Sequence, residues 1–295
     1  MSAPASTPEG LPVFCFITSV RHPRNSQDYG RVESLLRATL ASVCAQTVPD
    51  FRVVVVCNQV PSGKFPDQVE FVQVDFPPPS DVSGPATGRE AVLRDKGTKL
   101  AVALLAAQRH RPRHVMKFDA DDFVSRRIVE HVAGSDGPGW YVRDGFVVSS
   151  ATGLITLTHD FVDRCGTSEI IANDVFPLPA EVPGLGASQD ELLDRLGPFL
   201  VRDLLGSHRH SRNHLAERGT PLSPLPFPGA VYSISTGENH SGRTWMDRGR
   251  PVSRAVAEEF GIGHLRNASA WGHWARQDAR AALGRVRRVV GRTPA

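Results

Sequence analysis

His114-Val115-Met116-Lys117-Phe118-Asp119-Ala120-Asp121-Asp122 decides the fold. A short apolar run passes without a turn residue into a cluster of carboxylates, which reads as a buried strand with an acidic carboxyl end. Toward the N-terminus, Arg89 to Arg109 carries Leu93, Leu100, Leu104 and Leu105 along one side, the spacing of a helix. Val69 to Val74 alternates as a short strand, and Pro77 to Pro85 is a Pro/Ser/Gly-rich loop. Phe51 to Cys57 is a Val-rich strand closed by Asn58, and Val32 to Gln46 is an amphipathic helix on Leu35, Leu36, Leu40, Val43 and Cys44. Val13 to Thr18 is a β-rich run. Strand, helix, strand at this spacing forms a βαβ unit with parallel strands. The alternation predicts an α/β fold with a mostly parallel sheet flanked by helices. Ligands of such sheets sit at the carboxyl ends of the strands, where Thr18, Asn58 and the acids fall.

Beyond the acids the pattern changes. Phe123 to Val132 reads as a helix that Asp121 or Asp122 would cap. Tyr141 to Phe146 and Leu154 to Leu157 read as hairpin strands. Ser188 to Leu205 reads as one helix, with Ser188 as N-cap and Glu191 completing a capping box. Pro221 to Pro228 is a loop, Ala230 to Ile234 a strand, and Ala270 to Val290 an Arg-rich amphipathic helix. The expected organisation is a disordered leader over 1–12, a ligand-binding α/β half over 13–135, an irregular second half of the same domain over 136–269, and a basic terminal helix over 270–295.

With 295 residues, 40% hydrophobic and 22% charged, the chain has material for a real core. Net charge is 34 − 31 = +3, and only Lys64, Lys96, Lys99 and Lys117 are lysines. The six arginines from Arg276 to Arg292 stand against Asp278 alone, so the excess lies in the tail. This argues against a nucleic-acid-binding surface over the whole protein. Cys15, Cys44, Cys57 and Cys165 show no C-x-x-C spacing, which predicts reduced thiols and a cytoplasmic protein. No apolar run is long enough to span a membrane, and the leader lacks the basic and apolar regions of an export signal.

Asp119, Asp121 and Asp122 at one sheet edge repel one another, and a divalent cation is the ordinary means of holding them ionised. Oxygen ligands suit Mg²⁺ or Mn²⁺, which would bridge to substrate phosphates. The bland alternative is that Asp121 or Asp122 only caps a helix.

Phe14 to Thr18, the helix ending Ser42-Val43-Cys44-Ala45-Gln46, the strand Val53 to Cys57 and Lys117 to Asp122 together resemble the N-terminal half of GT-A glycosyltransferases. The resemblance is to family-2-like enzymes with a D-x-D motif and covers roughly residues 13 to 130. It implies a GT-A, Rossmann-like fold and a nucleotide-sugar donor, such as a UDP-, GDP- or TDP-sugar, with Mn²⁺ or Mg²⁺ on its diphosphate. Thr18, Ser19 and Arg21 would meet the nucleotide. Asn58 stands where many relatives place a base-reading acid. Asp119 and Asp121 match D-x-D, with Asp122 as the alternative ligand. Lys99, in Lys96-Gly97-Thr98-Lys99 ahead of the donor-side helix, would meet the diphosphate, with Asp95 pairing one of these lysines. His240 would return to the metal, and Ser241 and Arg243 would form a phosphate-facing loop. An inverting hexosyltransferase needs a carboxylate base, for which Asp190, Glu191 and, as competitor, Glu169 are the candidates. Trp140 or Trp245 could stack on a sugar.

The expected activity is transfer of a sugar to a glycan, lipid-linked or small-molecule acceptor, as in polysaccharide biosynthesis. Two other readings stand beside it. His208, His210 and His214 form H-x-H-x-x-x-H, which would make a metallohydrolase, although Arg209 and Arg212 interleave unfavourably. A non-catalytic sugar-nucleotide-binding protein is the third. The basic tail could lie on anionic lipid at the inner membrane face, or be a solvated helix or dimer contact.

Overall fold

The computed structural model describes residues 14–81, 87–135, 137–240, 242, 244 and 248–290, with side chains as far as 279. The expected leader, part of the 77–85 loop, Ser241, Arg243, Trp245 and the end of the tail lie outside the described residues.

The first half follows the periodicities. Strand β1 (Phe14–Ser19) leads to helix α1 (Tyr29–Val43), whose N-cap Asp28 accepts from the Arg31 amide at 3.1 Å. Strands β2 (Phe51–Cys57) and β3 (Val69–Gln73), helix α2 (Arg89–Ala107) and strand β4 (His114–Lys117) follow. β3, β2, β1 and β4 lie side by side in that order, all parallel. Both faces of this sheet are covered. Phe16, Val53, Val55 and Met116 pack toward α1, while Ile17, Val54, Val56 and Val115 pack toward Leu100 and Leu104 of α2.

The chain then leaves the sheet. The predicted helix from Phe123 is instead the two-residue strand β5 (Phe123–Val124), with helix α3 only at Ile128–Ala133. β5 belongs to a second sheet with β7 (Gly145–Ser149), β8 (Leu154–Thr158), β11 (Ala230–Ile234) and β12 (Arg250–Pro251), in the order β12-β8-β7-β11-β5. β7 and β8 are the expected hairpin. β6 (Gly139–Tyr141), read as part of a hairpin, instead pairs in the first sheet with β9 (Glu169–Ala172), which runs antiparallel to β4. The edge is β10 (Ser223–Pro224). The protein is therefore a mixed α/β fold with two sheets flanked by helices.

The helix expected over 188–205 is broken. Helix α4 (Gln189–Pro198) starts on its Ser188 cap, whose hydroxyl accepts from the Glu191 amide at 3.2 Å. Gly197 takes φ +79°, and Phe199–Gly206 continues as π-helical turns. This segment lies against α2 at two glycines: a Cβ on Gly97 would meet the Val201 carbonyl at 2.2 Å, and one on Gly206 the Leu93 carbonyl at 2.8 Å. Helices α5 (Ser211–Glu217), α6 (Arg254–Phe260) and α7 (Ala268–Val290) complete the chain. No described helix is long and apolar enough to cross a membrane.

Candidate functional site

The acidic cluster is the link between the two sheets, since β4 ends at Lys117 and β5 begins at Phe123. A cleft of about 600 Å³ opens there, over the carboxyl ends of β1 and β4. Its floor includes Asp119, Ala120 and Asp121. One wall comes from Ser19, Arg21 and the first turns of α2, with Arg89 and Lys96; the other comes from 163–166 and 206–209; Glu238, Asn239 and His240 close the side.

The three aspartates have different surroundings. Asp119 is ion-paired with the Lys96 ammonium. Burial works to raise its pKa, but the charge and hydrogen bond of Lys96 outweigh this and hold it below the usual carboxylate range. Asp121 accepts from the Asn239 amide at 3.0 Å and has no such cation. Burial and the neighbouring Asp119 charge push its pKa up to about 7. Asp122 does not line the cleft and is 1% exposed. It accepts from the Ser233 amide at 3.0 Å, the Thr167 hydroxyl at 2.6 Å and the Cys165 thiol at 2.9 Å. Burial and then the charges of Asp121 and Asp119 raise it well above the usual carboxylate range. Asp122 thus joins β11 of the second sheet to the chain entering β9 of the first. Besides any part in a metal site, it is a structural tie between the two sheets.

Asp119, Asp122 and Cys165 place ligand atoms within 4.8 Å of one another. Their chemistry does not favour a cation there. The Cys165 thiol is raised well above its ordinary range, chiefly by burial, and the carboxyl of Asp122 is engaged on both oxygens. Asp121 is a half-buried carboxyl with no direct ion pair among the described residues, under the more distant charges of Arg21 and Lys96. His240 lines the same cleft as a neutral imidazole, kept so by burial and by Arg21, Lys96 and Arg89. Asp121, Asp119 and His240 line the cleft together, but of these only Asp119 belongs to the group whose ligand atoms lie within 4.8 Å of one another.

Of the other expected site residues, Ser19, Arg21 and Asp95 line the cleft. Arg21 pairs with Glu238 at 3.0 Å, and Glu238 also accepts from the Gln27 and Asp28 amides at 3.0 and 2.8 Å. Thr18 is buried with its hydroxyl on the Phe118 carbonyl at 2.6 Å, outside the cleft. Asn58 bonds the Val74 and Phe76 carbonyls at 3.2 and 2.9 Å, also outside it. Lys99 lies within α2, not ahead of it. It is fully buried, on Asp95 at 2.8 Å and the Val20 carbonyl at 3.0 Å. Lys96, one turn earlier, reaches the cleft in its place.

None of the base candidates lines the cleft. Asp190 is exposed on α4 and pairs with Arg94 at 2.8 Å; Glu191 is about half exposed, 3.8 Å from Arg195. Glu169 is fully buried, 3.0 Å from Lys117, and accepts from the Ser211 hydroxyl. The cleft acid that the sequence reading missed is Asp163. Of the five acids lining the cleft, Asp95, Asp119 and Glu238 are in ion pairs and Asp121 is on the floor. Asp163 is exposed and bonds no described side chain.

The histidine triplet does not converge. His208 lines the cleft, pushed down to about 4 by burial and the charges of Lys96, Lys117 and Arg209. His210 and His214 lie outside it, their rings 6.1 Å apart. Trp140 is 7% exposed and packs on His114 and His131, away from any sugar-stacking position.

No protein-family model matches the sequence, and no curated protein matches it. Among solved structures the chain is similar to TarS 1–349 of S. aureus, at 14% identity and a TM-score of 0.38, over 75% of this chain and 60% of that one. It is also similar to TarS 1–349 in complex with UDP-GlcNAc, at 14% identity and a TM-score of 0.39, over 80% of this chain and 62% of that one. The chain spans about three fifths of either TarS chain.

Proposed function

We propose that the protein is a metal-dependent GT-A-type glycosyltransferase, family-2-like in its D-x-D motif, that moves a hexose from a nucleotide sugar to an acceptor hydroxyl with inversion. The observation that carries this reading is the cleft floor: Asp119 and Asp121 at the carboxyl end of β4, faced by Arg89 and Lys96. A cation held by Asp121 and Asp119, with His240, would supply charge neutralisation for the departing nucleoside diphosphate. Arg89 adds a second positive group for the diphosphate.

Inversion needs one displacement. The acceptor oxygen bonds the anomeric carbon as the bond to the diphosphate breaks, and the hydroxyl proton passes to a base. Asp163 is assigned that proton, as the cleft carboxylate with no internal partner among the described residues. Neutral His208 beside it can orient the hydroxyl. The reading carries with it a glycan, lipid-linked or small-molecule acceptor and membrane contact through the basic tail. The four unpaired cysteines support a reducing, cytoplasmic setting. The separation of His210 and His214 from His208 weighs against the hydrolase.

The test is turnover of UDP-, GDP- and TDP-sugars, as slow hydrolysis, with Mn²⁺ or Mg²⁺. One donor is expected to turn over. Asp121→Asn and Asp163→Asn should each lower the rate by about 10²-fold or more. Only Asp121→Asn should also weaken metal-dependent nucleotide binding. Nucleotide binding without any turnover would leave a sugar-nucleotide-binding protein, and full activity in Asp121→Asn would overturn the metal site.

A further inference from the structure

The wall formed by 163–166 and 206–209 carries two arginines that no described residue pairs. On the α2 wall and floor, Lys96 is paired with Asp119 and Arg21 with Glu238. Across the cleft, Arg164 and Arg209 line the opening and form no ion pair with described residues; both are exposed. The acid on that wall is Asp163 alone.

These arginines sit on backbone that is firmly placed. Gly166 lets its loop close on the floor: a Cβ there would lie 2.8 Å from the Asp119 carboxylate and 3.0 Å from the Lys96 ammonium. On the other loop, the buried Lys117 ammonium donates to the Leu204 carbonyl and to the Ser207 carbonyl at 2.7 Å, and pairs with Glu169. Ser211, whose one hydroxyl proton goes to the same Glu169, lies 3.3 Å from the His208 carbonyl. The turn that presents Arg209 is thereby fixed on both sides.

Two guanidinium groups on fixed loops, uncompensated and next to the residues assigned to deprotonate the acceptor, match an oxyanion. We propose that Arg164 and Arg209 form an anion subsite on the acceptor side, so that the acceptor bears a phosphate or comparable oxyanion close to the hydroxyl that receives the sugar. The inference rests on the glycosyltransferase reading for the word acceptor. The donor's diphosphate is met from the opposite wall by Arg89 and the cation.

The test is calorimetry on the full chain holding Mn²⁺ and whichever of UDP, GDP or TDP it binds, titrated with glucose 6-phosphate and with glucose. Glucose 6-phosphate is expected to bind about tenfold or more tightly than glucose. An Arg164→Gln, Arg209→Gln double variant should erase that difference and leave nucleotide affinity within about twofold, since neither group meets the donor. Equal binding of the two sugars, or binding of neither, overturns the subsite. So does a double variant that loses nucleotide affinity, which would hand both arginines to the donor. If no nucleotide binds, the glycosyltransferase reading fails separately, and the same titration on protein with Mn²⁺ alone decides whether the anion subsite exists.

Discussion

Asp121 is the residue at which charge and stability meet. Its carboxyl titrates near 7 in the folded protein against 3.8 ordinarily, because it is buried beside Asp119 without a cation of its own. Between those values the unfolded chain has released a proton that the folded chain keeps. Stability contributed by this group therefore falls as pH rises from about 4 to about 7, and is flat above that. Because the group is half-buried, the effect is on the order of 1–3 kcal/mol after solvent screening. A divalent ion binds the ionised form, so its stabilising effect must grow over the same window. Thermal melts of the metal-free protein at pH 5 and pH 7.5 should show a loss that Asp121→Asn reduces, with Asp122 supplying the remainder. Mg²⁺ should raise the melting temperature more at pH 7.5 than at pH 5, and not at all in the variant. An equal metal shift at both pH values would place the ion elsewhere. The sequence makes the cluster legible as three strand-end acids, but not their division of labour. What distinguishes Asp122 is its set of partners, Cys165, Thr167 and Ser233, which are 43, 45 and 111 positions away.

Among the elements, α2 and the π-helical segment 199–206 form the contact on which the acceptor-side wall depends. Backbone meets backbone there, at Gly97 and Gly206, so no side chain can yield. Gly97→Ala would put a Cβ 2.2 Å from the Val201 carbonyl. The expected loss is roughly 1–3 kcal/mol of stability from overpacking, with the 206–209 turn displaced. Gly186→Ala, where nothing lies within 4 Å of the added carbon, serves as control and should change stability by no more than about 0.5 kcal/mol. Denaturant melts of both variants measure this, and a Gly97→Ala protein as stable as the control would remove the close-contact argument. Local periodicity reads β1 through β4 well, because each run is long and buried on a defined face. It fails where pairing is short or distant. β5, β10 and β12 are two-residue strands with no period to detect, and β6 leaves its apparent hairpin partner for β9. The break at Gly197 is hidden inside a continuous apolar pattern. Lys96 and Lys99 show the same limit. α2 is buried along most of its inner length, so hydrophobic pattern alone does not tell which lysine faces the cleft.

At the scale of the whole molecule the net charge of +3 divides into a body near −2 and a strongly basic end, with six arginines against one acid from Arg276 to Arg292. Two of the body's acids, Asp119 and Asp121, stand on the cleft floor, where the proposed cation would answer them. α7 begins on the body, with Ala270 buried, but Trp271 is 61% exposed and its ring meets Trp274 edge-on at 5.8 Å. One exposed and one half-buried indole followed by arginines along one amphipathic helix match the interface of an anionic bilayer, where each basic residue contributes about 1 kcal/mol and salt screens the attraction. Co-sedimentation of the full chain with phosphatidylcholine vesicles, with and without phosphatidylglycerol, tests the idea. Binding is expected only to the anionic vesicles, to fall with added salt, and to drop about tenfold or more when Arg285, Arg287 and Arg288 are changed to Gln. Glycosyl transfer to a soluble acceptor should be unaffected by those changes if the tail serves only to hold the membrane. Equal binding to neutral vesicles, or an unaltered variant, would assign the helix to solvent or to a second copy of the chain.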